Sequence, residues 1–364
     1  MNVSVASQRV ARQSCFVIGL IMASGAAWGW DAHGHRTITS AALDALPQEL
    51  PAFLRDAELK AQIASNANEP DRIRNITEPA ITHINGPDHY LNIEKLYPYG
   101  LSLETIPRLR YDYLGALVLA RDHHPEKIEP YKPERDPKRA NEWPGFLPYA
   151  IEENYGRLVS GFRALRVMEA LPPAVGASES VKSECANELE RARRMIAVQI
   201  GMLSHYVGDA AQPLHTTAQY NGWTGPNPQG YTESRKFHGY IDGGVLSLHK
   251  IDLAAVEAKP IPDHNVGKDV WPAIISHIKR SFDTFVPLYE LQKSGALNKD
   301  EGKEFILERL RDGSGMLRDL IVAAWHAAEP KPKDLENDPK WDRPTEPDPV
   351  LSGQKPSEAT ATPK

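Results

Sequence analysis

The chemistry in this chain is concentrated in histidine and aspartate. The segment Ser204-His205-Tyr206-Val207-Gly208-Asp209-Ala210-Ala211-Gln212-Pro213-Leu214-His215 carries His-x3-Asp, a proline and a further His. A spacing of four puts His205 and Asp209 on one face if the segment is helical. Pro213 then stops the helix, and His215 follows on a turn. His238 and Asp242, in His238-Gly239-Tyr240-Ile241-Asp242, repeat the spacing. Imidazole nitrogens and carboxylate oxygens that converge in this way suit Zn²⁺. A surface histidine beside a carboxylate gives the same pattern once; two copies flanked by more His and Asp favour the ligand reading. A further cluster, Trp28-Gly29-Trp30-Asp31-Ala32-His33-Gly34-His35, lies near the start of the chain.

The elements that must position these residues read as helices. Apolar periodicity runs over Thr37–Leu46, Glu184–Ala211, Val270–Leu291 and Lys303–Ala328, and strand-like alternation is scarce. Gly313-Ser314-Gly315 reads as a turn or helix break without the context of a phosphate loop. The expected fold class is mainly α, as one domain over residues 30–328. Residues 94–183, rich in Tyr, Pro and charge, should mix helices with long loops. Residues 329–364 are too rich in proline and charge to bury a core and are expected to be disordered.

The first 29 residues read as a secretory signal. Arg9 and Arg12 form its basic start, Cys15–Ala23 its apolar run, and Ser24–Ala27 supply small residues for cleavage. Cleavage after Gly29 leaves Trp30 first; cleavage after Ala27 leaves Trp28. The mature chain is thus expected to be secreted or periplasmic, with no membrane anchor, no stable protein partner, and a monomeric state. The full chain has 364 residues and a net charge of −6, which excludes a simple electrostatic nucleic-acid binder. Two cysteines, Cys15 and Cys185, exclude a cysteine-built zinc site and a disulfide framework.

A mature chain that opens with Trp, continues with Gly-His, and then carries His-x3-Asp-x5-His and His-x3-Asp resembles the trinuclear zinc nucleases of the S-one/P-one type, which share a fold with bacterial zinc phospholipase C. The resemblance spans residues 28–245, with a helical completion to 328. It implies a helical domain with a tri-zinc cleft. Trp30, through its free amine and carbonyl, and His35 would hold one zinc. Asp71, His89 and His205 would hold a second, with Asp209 bridging the two. His215, His238 and Asp242 would hold the third. Asp242 in place of Glu, the long interval from His215 to His238, and Asp71-x2-Arg74 favour the nuclease branch.

In the implied mechanism a water oriented or deprotonated by Asp71 attacks phosphorus in line. Arg74 offsets charge on the equatorial oxygens, and the leaving 3′ oxygen falls to the third zinc site. The substrate would be single-stranded DNA, RNA or a 3′-nucleotide, with 5′-phosphorylated products. Tyr90 and Asn92 fall where the family binds a base. The interval from His89 to His205 is much longer than in the nucleases. It reads either as a lid or substrate wall over the metals, or as a surface elaboration with its own small core. A phospholipase C, or an exported zinc-binding protein without turnover, would share most of these residues. His33, His83, His123, His124 and His326 read as surface or supporting residues.

Overall fold

The computed structural model describes residues 30–336 apart from Thr77, Arg135 and Ala174; the expected signal and the segment 337–364 lie outside the described residues. The fold is mainly helical, and no strand forms among the described residues. The first half holds α1 (Ala32–Asp44), α2 (Ala57–Asn66), α3 (Glu69–Arg74), α4 (Pro79–Asp88), α5 (Arg110–His123), α6 (Leu147–Ala170) and α7 (Glu179–Ala211). Short pieces follow: α8 (Phe237–Gly239), a π-helical turn (Tyr240–Gly244), α9 (Val245–His249) and α10 (Leu253–Glu257). The chain continues through α11 (Trp271–Phe282), α12 (Phe285–Ser294), α13 (Asp300–Ala327) and α14 (Pro332–Glu336). No described helix is long and apolar enough to cross a membrane.

Helix α7 is the axis of the site. Ser178 caps its start by accepting from the Val181 amide, and its first half is polar and exposed. From Ile196 onward its buried residues come in close succession up to Ala211, so this end sits inside the core. Pro213 ends it as expected. Two apolar clusters flank this end. One joins α6, α7, α11 and α13; the other packs α1, the stretch 237–256, α12 and part of α13.

Four expectations change. The first helix starts at Ala32, because the Asp31 carboxylate accepts from the amides of His33 at 3.0 Å and Gly34 at 2.9 Å. The helix expected over Val270–Leu291 divides at Asp283-Thr284, where the Thr284 hydroxyl donates to the Ser281 carbonyl at 2.7 Å. Gly313 and Gly315 do not break α13. A Cβ on Gly313 would sit 3.1 Å from that of Ala211, and one on Gly315 2.2 Å from the Pro262 carbonyl oxygen, so these glycines permit close packing. The segment after Glu329 begins with the short helix α14.

The described residues of 94–183 form no separate small core. Leu96, Leu103, Tyr113, Leu117, Phe146, Leu147, Tyr149, Ala150 and Ile151 share the main apolar cluster with α7, α11 and α13. The same segment also supplies one wall of the cleft described next.

Candidate metal centre

The ligand candidates come from five places in the fold. His35 projects from α1, Asp71 and Arg74 from α3, and His89 follows α4. His205 and Asp209 lie on the buried end of α7, and His215 lies just past its Pro213 stop. His238 and Asp242 come from α8 and the π-helical turn, a local irregularity that recurs at functional sites. All these histidines and aspartates are buried.

Several backbone contacts fix this convergence. The strand-like stretch after His89 is held on both sides: Leu91 N donates to His215 O at 2.9 Å, and Asn92 N to Pro144 O at 2.7 Å. Gly145 makes the second contact feasible, since a Cβ there would lie 2.0 Å from the Tyr90 carbonyl oxygen. Asp31 N donates to Asp242 O at 3.2 Å, which joins the start of α1 to the third ligand turn.

Asp209 is the hub. Its Oδ2 lies 2.9 Å from His89 Nδ1 and 3.3 Å from His205 Nε2; its Oδ1 lies 3.5 Å from His35 Nε2 and 3.6 Å from His215 Nδ1. His35 stacks on His205 with ring centroids 4.0 Å apart. Asp71 Oδ1 is 3.8 Å from His205 Nε2, 3.9 Å from His89 Nδ1 and 2.8 Å from the Arg74 guanidinium. At the other end, His238 Nε2 lies 3.0 Å from His215 Nε2 and 3.3 Å from Asp242 Oδ2.

The donor atoms form three groups able to hold metal ions: His35, Asp71 and His205; His89, His205 and Asp209; and His215, His238 and Asp242. Within each group they lie within 4.8 Å of one another. Donors at about 2.0–2.1 Å from a tetrahedral Zn²⁺ stand roughly 3.3 Å apart. The shorter separations match that spacing, and the longer ones exceed it by up to about 1.5 Å, which a bound ion would have to draw in. The third group has the same members as the set the resemblance implies. In the first two, His35 is grouped with Asp71 and His205, whereas the resemblance assigns it to a different ion from them. Trp30 adds no side-chain donor, since its indole is buried in the second apolar cluster.

Tautomers and electrostatics fit a cation. His205 Nδ1 lies 2.7 Å from the Ala67 carbonyl oxygen and His215 Nδ1 2.5 Å from that of His89. A carbonyl oxygen can only accept, so each Nδ1 carries a proton and each Nε2 is left facing inward, where its lone pair would be available to a cation. Burial and the neighbouring His205 lower the His35 pKa; burial and Arg74 bring His89 down to about 3. Burial opposes ionisation of Asp209, yet His215 and His205 hold its pKa well below the usual carboxylate range. Asp71 is likewise lowered against burial by His205 and Arg74. Asp242 is driven well above its ordinary value by burial, with Asp209 adding to the effect. His205 moves the other way, raised against burial by Asp209 and Asp71. Buried charged groups are costly, and a divalent cation among these donors would offset that cost.

A cleft of about 420 Å³ opens on this centre, lined in part by Arg74, His89, Tyr90, Asn92, His215 and His238. The Tyr90 hydroxyl donates to Ala140 O at 2.9 Å, so its ring is fixed at the wall. Asn92 Oδ1 is buried and makes no hydrogen bond among the described residues. Sequence reasoning missed Gln212, whose Nε2 donates to Asp242 Oδ1 at 2.7 Å. Its place between Asp209 and Pro213 was the available signal. It also missed Lys138 and Asn141, which reach the cleft from the far wall without any motif. His33 and His83 stay outside the centre, as surface or supporting residues would: His33 Nε2 meets Ile251 O at 2.7 Å, and His83 is exposed. In comparisons with known proteins, no family model and no curated protein matches the chain.

Proposed function

We propose that this chain is an exported zinc-dependent phosphodiesterase, a single-strand-preferring nuclease that also removes 3′-phosphates. The observation that carries the reading is Asp209, one buried carboxylate whose two oxygens face different pairs of imidazoles. Five histidines and three aspartates would hold three Zn²⁺ ions. If signal cleavage exposes Trp30, its amine and carbonyl would complete the set. When bound, such ions polarise phosphoryl oxygens and lower the pKa of water.

The chain's own residues supply the remainder. Asp71, kept ionised beside Arg74, accepts a hydrogen bond from the attacking water and aims it at phosphorus. The guanidinium of Arg74 lines the cleft and has further N–H donors for the equatorial oxygens, where charge builds. Tyr90 offers a ring face to an unpaired base, and Asn92 offers both a donor and an acceptor to the base edge.

One observation favours phospholipase activity as a second reading. Ile76, Ile81 and Ile84 are exposed, and they are interleaved in sequence with the cleft-lining residues Asn75, Thr82 and Gly86. The test is to produce the protein from its own signal and determine its N-terminus and zinc content. Single-stranded DNA, RNA and phosphatidylcholine are then assayed in parallel. Three zincs with nucleic-acid cleavage support the nuclease. Lipid cleavage alone moves the chain to the phospholipase branch, and a zinc-loaded protein without turnover removes both readings.

A further inference from the structure

Residues 136–144 form a strap between two cavities. On one side Lys138, Ala140 and Asn141 line the metal cleft. On the other lies a second cavity of about 440 Å³, which shares Asn141 with the cleft. Its lining includes Lys95, Lys127 and Lys132 with the rings of Tyr99, Tyr131 and Trp143.

The acidic residues of this cavity are engaged locally. Glu142 takes Arg121 at 2.8 Å and Arg139 at 2.6 Å. Asp136 accepts from the amides of Ala140 at 3.0 Å and Asn141 at 2.7 Å. Glu94 accepts from the Ala218 amide at 2.9 Å and from the Thr217 hydroxyl. Glu129 pairs with Lys132 at 3.2 Å. Lys95, Lys127 and Lys138 make no ion pair with a described residue. The cavity lining holds three lysines and four carboxylates; each carboxylate is engaged by a local partner, whereas Lys95 and Lys127 keep their charge without one. Unpaired lysines interleaved with aromatic rings are the chemistry that tracks a single strand: cations follow the phosphates and rings stack on bases.

We propose that this second cavity is an extended subsite for single-stranded nucleic acid, continuing the path of a strand whose scissile phosphate lies in the metal cleft. The proposal rests on the nuclease reading and adds a substrate class to it: polymers that run past the cleft, favoured over mononucleotides. The strap then divides the bound strand, with Lys138 and Asn141 at the crossing point.

The experiment measures binding of fluorescent phosphorothioate single strands of increasing length to the zinc-loaded full mature protein by anisotropy, across a range of salt concentrations. The wild type should bind a strand of about ten nucleotides at least tenfold more tightly than one of about three, within the usual reach of such sites. The combined variant Lys95→Gln, Lys127→Gln, Lys132→Gln should lose that gain. Its salt slope should fall by roughly two, at about 0.7 per released phosphate contact. Tyr131→Phe keeps the ring and should keep the affinity; Tyr131→Ala should lose it. An unchanged length dependence and salt slope in the triple variant overturns the subsite. A wild type that cleaves short and long strands but gains nothing with length also overturns the subsite while leaving the nuclease reading intact. A wild type that neither binds nor cleaves any strand overturns both.

Discussion

Replacing Asp209 by Asn tests the centre most directly. The amide keeps the size of the carboxylate and removes its charge. In the structure Asp209 Oδ2 serves His89 and His205, while Oδ1 serves His35 and lies 3.6 Å from His215 Nδ1. That His215 nitrogen is committed to the His89 carbonyl at 2.5 Å, so the inward Nε2 of His215 and the third group do not depend on Asp209. A four-ligand zinc site binds with about 10–16 kcal/mol, or roughly 3 kcal/mol per ligand. Losing one charged ligand then weakens each of two ions by about a hundredfold, since about 1.4 kcal/mol is tenfold. After dialysis against a weak chelator, Asp209→Asn should keep the one ion of the His215–His238–Asp242 group and lose the other two, with loss of hydrolysis. Metal content by mass spectrometry and calorimetric zinc titration read this out. The retained ion also reports an intact fold. Three ions held at wild-type affinity would refute the bridging role.

Other outcomes follow from the same geometry. Stripping the three ions from the wild type should lower its melting temperature by more than ten degrees, because each ion at a thousand times its Kd adds about 4 kcal/mol; an unchanged melting curve would show that the buried His/Asp groups hold no ion in solution. Tyr90→Ala should raise KM for oligonucleotides more than for a small phosphodiester, and equal effects would remove base stacking. Asp312→Asn should cost about 3 kcal/mol and leave metal content intact, because it strips a buried carboxylate from His277 at 3.2 Å and from Arg280 at 3.4 Å; thermal melting checks it. Burial, with His277 and Arg280, lowers His264 to about 4, and Arg280 donates to its Nδ1 at 2.7 Å. Its folded pKa lies below its unfolded value, so its contribution is present above about 6.5 and is lost as pH falls toward 4, by at most about 3 kcal/mol. His264→Gln should flatten that part of the acid-stability profile measured by urea unfolding, and an identical profile would exclude His264 as its source.

The sequence alone carried the local half of this protein. The His205-x3-Asp209 spacing, the apolar run that buries the end of α7 and the Pro213 stop are all set by neighbours in the chain, and helical periodicity reports which face is buried. The same logic placed His238 and Asp242 together. Tertiary structure decided the rest. His35, Asp71 and His89 approach Asp209 only because α1, α3 and the stretch after α4 pack against α7, and such contacts leave no period in the sequence. Gly313 and Gly315 looked like breakers locally, but the close approach of α13 to Ala211 and Pro262 makes them spacers. The buried network of His264, His277, Arg280 and Asp312 was equally illegible, because its members come from a loop, α11 and α13. Residues 94–183 showed their composition but not their place. Their apolar side chains complete the main core, and their strap walls the cleft, because the backbone at Pro144 and Ala140 meets Asn92 and Tyr90 across a long interval of chain.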